Sequence, residues 1–117
     1  MAGVIHVIWY ATVMRQESFA QSVSAVAPLA LRYGATQYAV HRSQDDRYRI
    51  TQMSWFASKA DWYRYWDGPE MSEFRRRYAG RYQIPITYVW QDELVAGSLG
   101  PEIEFEPAPE PSPQATG

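Results

Sequence analysis

The alternation of apolar and polar positions predicts a chain that begins with a strand and continues with a helix. Residues 4–13 are β-branched or aromatic with both alternating faces largely apolar, which is typical of a strand in the middle of a sheet covered on two sides. Residues 17–33 change to helical spacing. Pro28 predicts a kink or break in that helix, and Gly34 predicts its end.

Three more strands are predicted further along the chain. Residues 35–42 and 48–56 flank the polar connection 43–46, whose length and composition favour a β-hairpin. Residues 84–94 predict a fourth strand. Pro85 indicates that this strand lies at an edge of the sheet, or that the proline is among its first residues.

Two short helices are predicted between the third and fourth strands. Ser58 with Asp61 three residues later is a variant of the capping box, so Ser58 is expected to cap the first helix. That helix carries four aromatic residues, Trp62, Tyr63, Tyr65 and Trp66, and ends at Asp67 and Gly68. A proline suits the first turn of a helix, so Pro69 is expected to begin the second one.

This order of elements, β-α-β-β-α-(α)-β, predicts an α+β ferredoxin-like fold with a four-stranded antiparallel sheet and helices on one face. The strands are nevertheless apolar on both faces, and a bare apolar face in water is a surface for association. A second copy related by two-fold symmetry would cover that face. We therefore predict one domain over residues 1–95 that forms a homodimer.

The composition changes after this domain. Residues 96–117 contain five Pro, three Gly and few apolar side chains, so they are expected to form an acidic, extended or disordered tail. Within it, Ile103 and Phe105 alternate with glutamates like the positions of a strand. They are the candidates for docking the tail on a partner protein or on the other subunit.

Charge and residue usage exclude several classes of function. The tail carries four of the 13 acidic residues and none of the 11 basic ones, which leaves a weak excess of two positive charges in the domain. Such a small excess argues against nucleic-acid binding. The chain has no Cys, which excludes disulfides, a thiol nucleophile and Cys-ligated metal sites. No phosphate-binding loop, serine-hydrolase or zinc-protease motif is present, so we expect no metal and no cofactor.

The sequence also gives an expectation for the cellular location of the protein. No stretch approaches the roughly 18 apolar residues that a membrane-spanning helix requires, so we expect no membrane contact. The apolar start lacks the basic region and small-residue cleavage site of a signal peptide. These observations predict a cytoplasmic protein.

The segments Met53–Ala60 and Tyr65–Pro69, followed by Phe74, carry a resemblance to a known family. A strand-end Trp, a Ser-containing turn and an aromatic helix are arranged as in the antibiotic biosynthesis monooxygenase family of dimeric α+β barrels, which the chain resembles over about residues 4–94. The resemblance implies a pocket between the sheet and the helices. Members include cofactor-independent oxygenases of phenolic or quinol-type aromatics, haem-degrading enzymes and proteins with no known activity.

The haem-degrading branch of that family uses a first-strand Asn, a helix Trp and a helix His. Trp66 matches the Trp, because it directly precedes the Asp-Gly-Pro break. The Asn position falls on Ile8 or Trp9, and the His position falls near Phe74 or Arg75. Haem degradation by that route is therefore not expected.

The candidate site residues combine one imidazole with several aromatic side chains. His6 can act as a general base near neutral pH on a phenolic proton, although a hydrogen-bonded structural His is the alternative interpretation. An apolar aromatic ligand is expected to lie against aromatic walls, although such residues equally form cores. The predicted substrate-binding residues are Trp66, Trp62, Tyr63, Tyr10 and Trp9.

Two functions from different classes remain open at this point. One is a cofactor-independent monooxygenase that acts on an aromatic or polyketide-like molecule, with the substrate supplying the electrons once it is deprotonated. The other is a non-catalytic ligand-binding or assembly module whose tail docks on a partner or on the other subunit. A fold of this kind supports many functions, so only the site can distinguish them.

Overall fold

The computed structural model describes residues 3–99 and 108–109 of the chain. Its elements follow the predicted order of strands and helices. They are β1 (Gly3–Tyr10), α1 (Gln16–Val26), a 3₁₀ helix (Ala27–Tyr33), β2 (Ala35–Arg42), β3 (Arg49–Phe56), α2 (Lys59–Trp66), α3 (Pro69–Arg77) and β4 (Thr87–Asp92). Ile103 and Phe105 lie outside the described residues, so the tail prediction stays a prediction.

The four strands form one antiparallel sheet with the order β2-β3-β1-β4. The first strand therefore lies between the third and the fourth, and His6 faces Met53 on one side and Val89 on the other. This topology confirms the predicted α+β ferredoxin-like fold. It also leaves β2 and β4 at the two edges of the sheet.

The helix boundaries follow the local signals in the sequence. Helix α1 ends at Val26, and the chain continues as a 3₁₀ helix with Pro28 in its first turn. Gly34 ends that segment with a φ of 103°, in the left-handed region that glycine adopts without strain. The Oγ atom of Ser58 accepts a hydrogen bond from the backbone N–H of Asp61 at 3.2 Å, as the capping prediction required.

The break between α2 and α3 depends on Gly68. A Cβ atom at this position would lie 2.5 Å from the carbonyl oxygen of Arg64, closer than side-chain carbons approach backbone oxygens. Only glycine allows the chain to leave α2 and enter α3 at Pro69 within so short a corner.

Two predicted strands are shorter in the structure. The first ends at Tyr10 rather than at residue 13, because Ala11 forms only an isolated bridge with Tyr82 and Met14 has a φ of 68°. The fourth begins at Thr87 rather than at residue 84. Pro85 thus precedes an edge strand, which agrees with its lack of a backbone N–H.

The helices cover one face of the sheet, and the core lies between them. Alternate residues of β1 point toward the helices, and among them Trp9 is 1% exposed. Its ring packs edge-on against Phe19, Phe74 and Tyr82 at centroid distances of 4.9–5.8 Å. Rings in this arrangement contribute about 0.5–1.5 kcal/mol per pair beyond their buried area.

A chain of hydrogen bonds crosses this apolar core. Trp9 Nε1 donates to Gln52 Oε1 at 3.0 Å, and Gln52 Nε2 donates to the Tyr65 hydroxyl oxygen at 2.9 Å. The three side chains are each about 1% exposed, and they join β1, β3 and α2. Burial raises the pKa of the Tyr65 phenol, which keeps it neutral inside the core.

The opposite face of the sheet carries no helix among the described residues, and we call it the open face. The alternation of the strands places apolar side chains there, half-buried except for the buried Val4, and His6 lies among them. The apolar members are Val4, Ile8, Ala39, Met53, Trp55 and Val89. Both faces of the sheet are therefore substantially apolar, as the strand pattern predicted.

The buried hydrogen-bond chain generates a stability prediction. The substitution Gln52→Leu introduces an apolar side chain of similar size and leaves the Trp9 N–H and the Tyr65 hydroxyl without their partner. Each unsatisfied buried group costs about 1–3 kcal/mol, so we expect the free energy of unfolding to fall by about 2–4 kcal/mol. Urea denaturation measures this difference.

The matched control is Gln44→Leu in the exposed hairpin connection. Surface changes of this kind alter the free energy of unfolding by about 0.5 kcal/mol or less. Equal stabilities of the Gln52→Leu and Gln44→Leu proteins would show that the buried hydrogen bonds make no net contribution.

Candidate functional site

A cavity of about 260 Å³ lies between α2 and β4, and only aromatic side chains line it. We call it the aromatic slot. Its lining residues are Trp62, Tyr63, Trp66, Tyr88 and Trp90. The slot thus brings together three of the five predicted substrate-binding residues, Trp62, Tyr63 and Trp66, and adds two from the fourth strand.

The local structure explains why these side chains meet. Trp62 and Trp66 are one helical turn apart, so they lie on the same side of α2. Tyr88 and Trp90 are two apart on β4, so they share one face of that strand. Tyr88 is paired with Val7 in the sheet, and the Val7 side chain points into the core. The face that carries Tyr88 and Trp90 is therefore the one that the helices cover.

The rings are arranged in two orientations. Trp62 and Trp66 are nearly parallel, with 14° between their planes and 5.6 Å between their centroids. Tyr88 stands at 68° to the first and 81° to the second, and Trp90 stands at 87° to Trp62. Tyr63 is 51% exposed and Tyr88 44%, so these two form the open side of the slot.

Two cations lie against the slot from outside. The guanidinium carbon of Arg75 is 4.4 Å from the centre of the Trp66 ring, and its Nη1 donates to the Trp66 carbonyl oxygen at 2.8 Å. The Lys59 Nζ atom is 5.9 Å from the centre of the Trp90 ring. Both distances are within the range of cation–π attraction.

The slot lining contains no charged side chain. The indole nitrogens of Trp62 and Trp90 are buried, with no hydrogen-bond partner in the described part of the chain and essentially no accessible surface of their own. No His, Asp or Glu is among the residues that line the slot. The site therefore offers aromatic surface with positive charge nearby, but no carboxylate or imidazole base.

The structure does not bring His6 to the slot. Its neighbours Ile5 and Val7 point into the core, so the His6 side chain projects from the open face, on the other side of the sheet. A His6 base and a Trp66 wall therefore cannot belong to one pocket within a single chain. Burial, with a smaller effect of the nearby His41, lowers the pKa of His6.

Two other predicted binding residues also lie outside the slot. Tyr10 projects from the open face like His6, because it is four residues along the same strand. Trp9 is in the core, 5.7 Å from the centre of the Trp66 ring, and so supports the slot from behind without lining it. The structure therefore does not place either residue, predicted to bind substrate, in the lining of the slot.

Sequence reasoning missed Trp90 and Arg75 as parts of the site. The alternation of β4 gave a signal for Trp90, since it shares a face with Tyr88. Arg75 belongs to a run of three arginines, a pattern that by itself is typical of a solvated helix face. Its neighbours Arg76 and Arg77 are exposed, whereas Arg75 is half-buried against Trp66.

A larger groove of about 630 Å³ lies between α1 and α3. Its charged lining residues are of both signs, and they include Glu73, Arg77 and Arg81. Tyr78 lies between the two arginines, with their guanidinium carbons 5.8 and 5.7 Å from its ring centre. This groove is open and solvated, and it lacks the converging walls of the slot.

No group of three or more His, Asp or Glu side chains within residues 3–99 and 108–109 is placed to hold a metal ion. In the same part of the chain, no helix is both long and apolar enough to cross a bilayer.

The fold matches several solved structures. A protein from Nitrosomonas europaea named "putative antibiotic biosynthesis monooxygenase" superposes with a TM-score of 0.71 at 17% identity, covering 80% of this chain and 90% of that one. A Bordetella bronchiseptica protein of the same name has a TM-score of 0.70 at 17% identity, covering 80% and 98%. A Mycobacterium tuberculosis protein has a TM-score of 0.71 at 11% identity, covering 84% and 100%.

These neighbours confirm the fold that the sequence resemblance implied. At identities of 11–17% they establish the architecture and leave the chemistry to the site. No protein-family model matches the chain, and no curated protein is significantly similar to it in sequence.

The lowered pKa of His6 generates a pH-dependence prediction. The unfolded chain binds a proton at His6 near the usual pH of about 6.5, while the folded protein binds it only at lower pH. The unfolded state therefore gains protons first, and stability falls as the pH decreases below about 7. Replacing His6→Gln is expected to reduce this fall, as measured by urea unfolding at pH 7, 6 and 5.

The comparison variant is His41→Gln, which removes the neighbouring imidazole but leaves His6 buried. Because burial is the larger cause of the lowered pKa, this variant is expected to retain most of the pH dependence. An identical pH dependence in wild type and His6→Gln would contradict the assignment to His6.

Proposed function

We propose that this chain binds a flat, apolar aromatic molecule in the aromatic slot and oxygenates it without a cofactor. The observation that carries the proposal is a cavity of about 260 Å³ walled by five aromatic rings. An apolar cavity of about 150 Å³ is enough to hold benzene, so the slot has room for a molecule of about two fused rings. Aromatic walls favour a planar ligand through stacked and edge-on contacts.

The oxygenase part of the proposal draws on the names of the structural neighbours together with the aromatic lining of the slot. In such a reaction a hydroxyarene is converted into a quinone, with one oxygen atom of O₂ entering the ring as a carbonyl and the other leaving as water. The substrate supplies all four electrons that reduce O₂, so no external reductant is required. The protein then has to orient the ring and limit its contact with water.

The slot residues would divide these tasks. The parallel rings of Trp62 and Trp66 would form the fixed wall, since both are 5% exposed or less. Tyr63 and Tyr88, which are half exposed, would border the entrance. His6 receives no role in this reaction, because the sheet separates it from the slot.

We also propose that the protein acts as a homodimer in which two open faces meet. The half-buried side chains of that face, among them Ile8, Met53 and Trp55, present apolar area without a covering layer in the described chain. A two-fold arrangement would bury the same face in each subunit. The slot lies on the other side of the sheet and would stay accessible.

A second candidate function is a binding or assembly module without chemistry. The absence of His, Asp and Glu from the slot lining favours it, because such a site has no side-chain base for a substrate proton. In this alternative, Ile103 and Phe105 of the tail would dock on a partner protein or on the other subunit.

The binding proposal is tested with 2-methoxynaphthalene, a two-ring probe that carries no charge. Replacing Tyr88→Ala removes one wall of the slot, and we expect the Kd measured by equilibrium dialysis to rise about tenfold. Tyr38→Ala is the matched control: Tyr38 is also on an edge strand and is 38% exposed, against 44% for Tyr88, but lies outside the slot.

Equal effects of the two substitutions, or no binding by the wild type, would contradict the slot as the ligand site. Chemistry is then tested with 1-naphthol under ¹⁸O₂, where one labelled oxygen per product molecule supports the monooxygenase. Binding of the probe without oxygen uptake would favour the module, and truncation after Leu99 would then show whether the tail holds a partner.

The dimer proposal is tested by Met53→Glu, which places a charge in the middle of the open face. We expect the wild type to have twice the chain mass of 13.5 kDa in solution and the variant to be a monomer, because burying an unpaired carboxylate is unfavourable. Light scattering after gel filtration measures both. Leu31→Glu, on the helix side and 48% exposed, should remain dimeric; a monomeric wild type would refute the proposal.

A further inference from the structure

We infer that the aromatic slot is the apolar half of a longer cleft, and that its ligand carries a neutral polyhydroxyl substituent of the sugar type on the flat aromatic part. This inference rests on the proposed function, because the aromatic part of the ligand lies in the same slot. It adds a second binding site, a cavity of about 460 Å³ that we call the polar pocket. The polar pocket is lined by Gly3, Ser58, Lys59, Trp90 and Asp92.

The face of β4 that the helices cover changes from aromatic to charged along the strand. Tyr88, Trp90 and Asp92 are each two residues apart, so their side chains share that face. Trp90 lines both cavities, so the slot and the polar pocket meet at its ring. The strand therefore presents two aromatic rings to the slot and a carboxylate beyond them.

Helix α2 carries a matching row of side chains. Lys59, Trp62 and Trp66 are spaced by three and four residues, so they lie on one side of the helix. The ring centroid of Trp62 and the Nζ atom of Lys59 are both 5.9 Å from the ring centroid of Trp90. The charged residue of the helix is thus at the same end of the cleft as Asp92.

Gly3 leaves the polar pocket unfilled. It belongs to the row of β1 residues that points toward the helices, with Ile5 next along that row, and it is paired with Asp92 in the sheet. A Cβ atom at this position would lie 3.0 Å from the Gln91 carbonyl oxygen and 3.2 Å from carbons of the Trp90 ring. A larger residue here would therefore displace the ring that separates the two cavities.

The polar pocket contains one hydrogen-bonding cation and one anion. The Lys59 ammonium can only donate hydrogen bonds, and the Asp92 carboxylate can only accept them. Both side chains are exposed, and neither belongs to an ion pair among the described residues. The Ser58 hydroxyl accepts the N–H of Asp61 and can also donate.

This combination favours a substituent that donates and accepts hydrogen bonds and carries no charge. Asp92 would repel a carboxylate, and Lys59 would repel an ammonium group. A zwitterion would have to lose the hydration of two charges. Hydroxyl groups can accept from Lys59 and donate to Asp92, and hydrogen bonds to charged groups are stronger than those between neutral groups. The apolar C–H face of a sugar ring can pack on the Trp90 ring between them.

The size of the cleft supports a ligand longer than the slot. Small-molecule sites in proteins usually enclose about 300–1,000 Å³. The slot, at about 260 Å³, is below this range by itself. The polar pocket of about 460 Å³ brings the whole cleft into it. A two-ring aromatic group that carries one sugar therefore matches the cleft better than a bare two-ring molecule.

The experiment compares 2-naphthyl β-D-glucopyranoside with 2-methoxynaphthalene on the full-length protein. Both probes carry the naphthalene ring for the slot, and only the glucoside has hydroxyl groups for the polar pocket. We expect equilibrium dialysis to give a Kd about tenfold lower for the glucoside, because hydrogen bonds to two charged side chains are added. The anion (2-naphthyloxy)acetate, with a carboxylate in place of the sugar, should bind no more tightly than the ether.

Substitutions then locate the sugar. Asp92→Ala and Lys59→Met should each lower the ratio of the ether Kd to the glucoside Kd from about 10 to about 2. The matched controls are Asp45→Ala and Arg64→Met, which remove exposed charges outside both cavities and should leave the ratio unchanged. Because the ratio compares two ligands on the same variant, a general effect of a substitution on the slot cancels.

The outcomes separate the two proposals. If the ether binds and the glucoside binds no more tightly, the inference is overturned and the aromatic slot stands. An equal gain in affinity for the naphthyloxyacetate, or an unchanged ratio in both Asp92→Ala and Lys59→Met, overturns it as well. If neither the ether nor the glucoside binds to the wild type, the slot itself is refuted, and the inference falls with it.

Discussion

The hydrogen bonds from Trp9 to Gln52 and from Gln52 to Tyr65 fix the geometry on which the rest of the structure depends. They are polar connections in the middle of an aromatic core, where an unpaired donor or acceptor lowers stability. Packing alone would tolerate several orientations of a large ring, but a directed N–H bond selects one for Trp9. The same chain fixes Tyr65 inward, so the rotation of α2 about its axis is determined.

The position of the aromatic slot is a consequence of that rotation. With Tyr65 pointing into the core, Trp62 and Trp66 lie on the flank of α2 that faces the edge strand β4. The short corner after α2 then returns the chain so that Arg75 covers Trp66. The core and the slot are thus one continuous set of rings that meet at Trp66.

Much of the fold could be predicted from local signals, because each acts through neighbouring residues. Pro28, Gly34 and Ser58 mark boundaries that the structure confirms, and strand periodicity predicts the order of elements. The two faces of β1 could not be assigned in this way. Both are apolar, so the sequence does not tell which one the helices cover, and His6 was grouped with residues across the sheet.

The errors at the site have the same physical origin. A run of arginines looks solvated along the chain, and only the tertiary position of α3 distinguishes Arg75 from its exposed neighbours. Alternation within β4 indicated that Tyr88 and Trp90 share a face, but not that α2 lies opposite. Long-range packing decides both, and no short segment contains that information.

The corner at Gly68 has a consequence for the two sides of the slot. One side is tied to the corner through Trp66, and the other is formed by the exposed rings of Tyr63 and Tyr88. Trp66 and Arg75 lie on either side of a turn that tolerates no side chain, and Arg75 donates to the Trp66 carbonyl oxygen across it. Tyr63 and Tyr88 are half exposed, so their outer edges border solvent. Exchanging either tyrosine would therefore reshape the entrance of the slot, while the corner that joins Trp66 to Arg75 would keep its geometry.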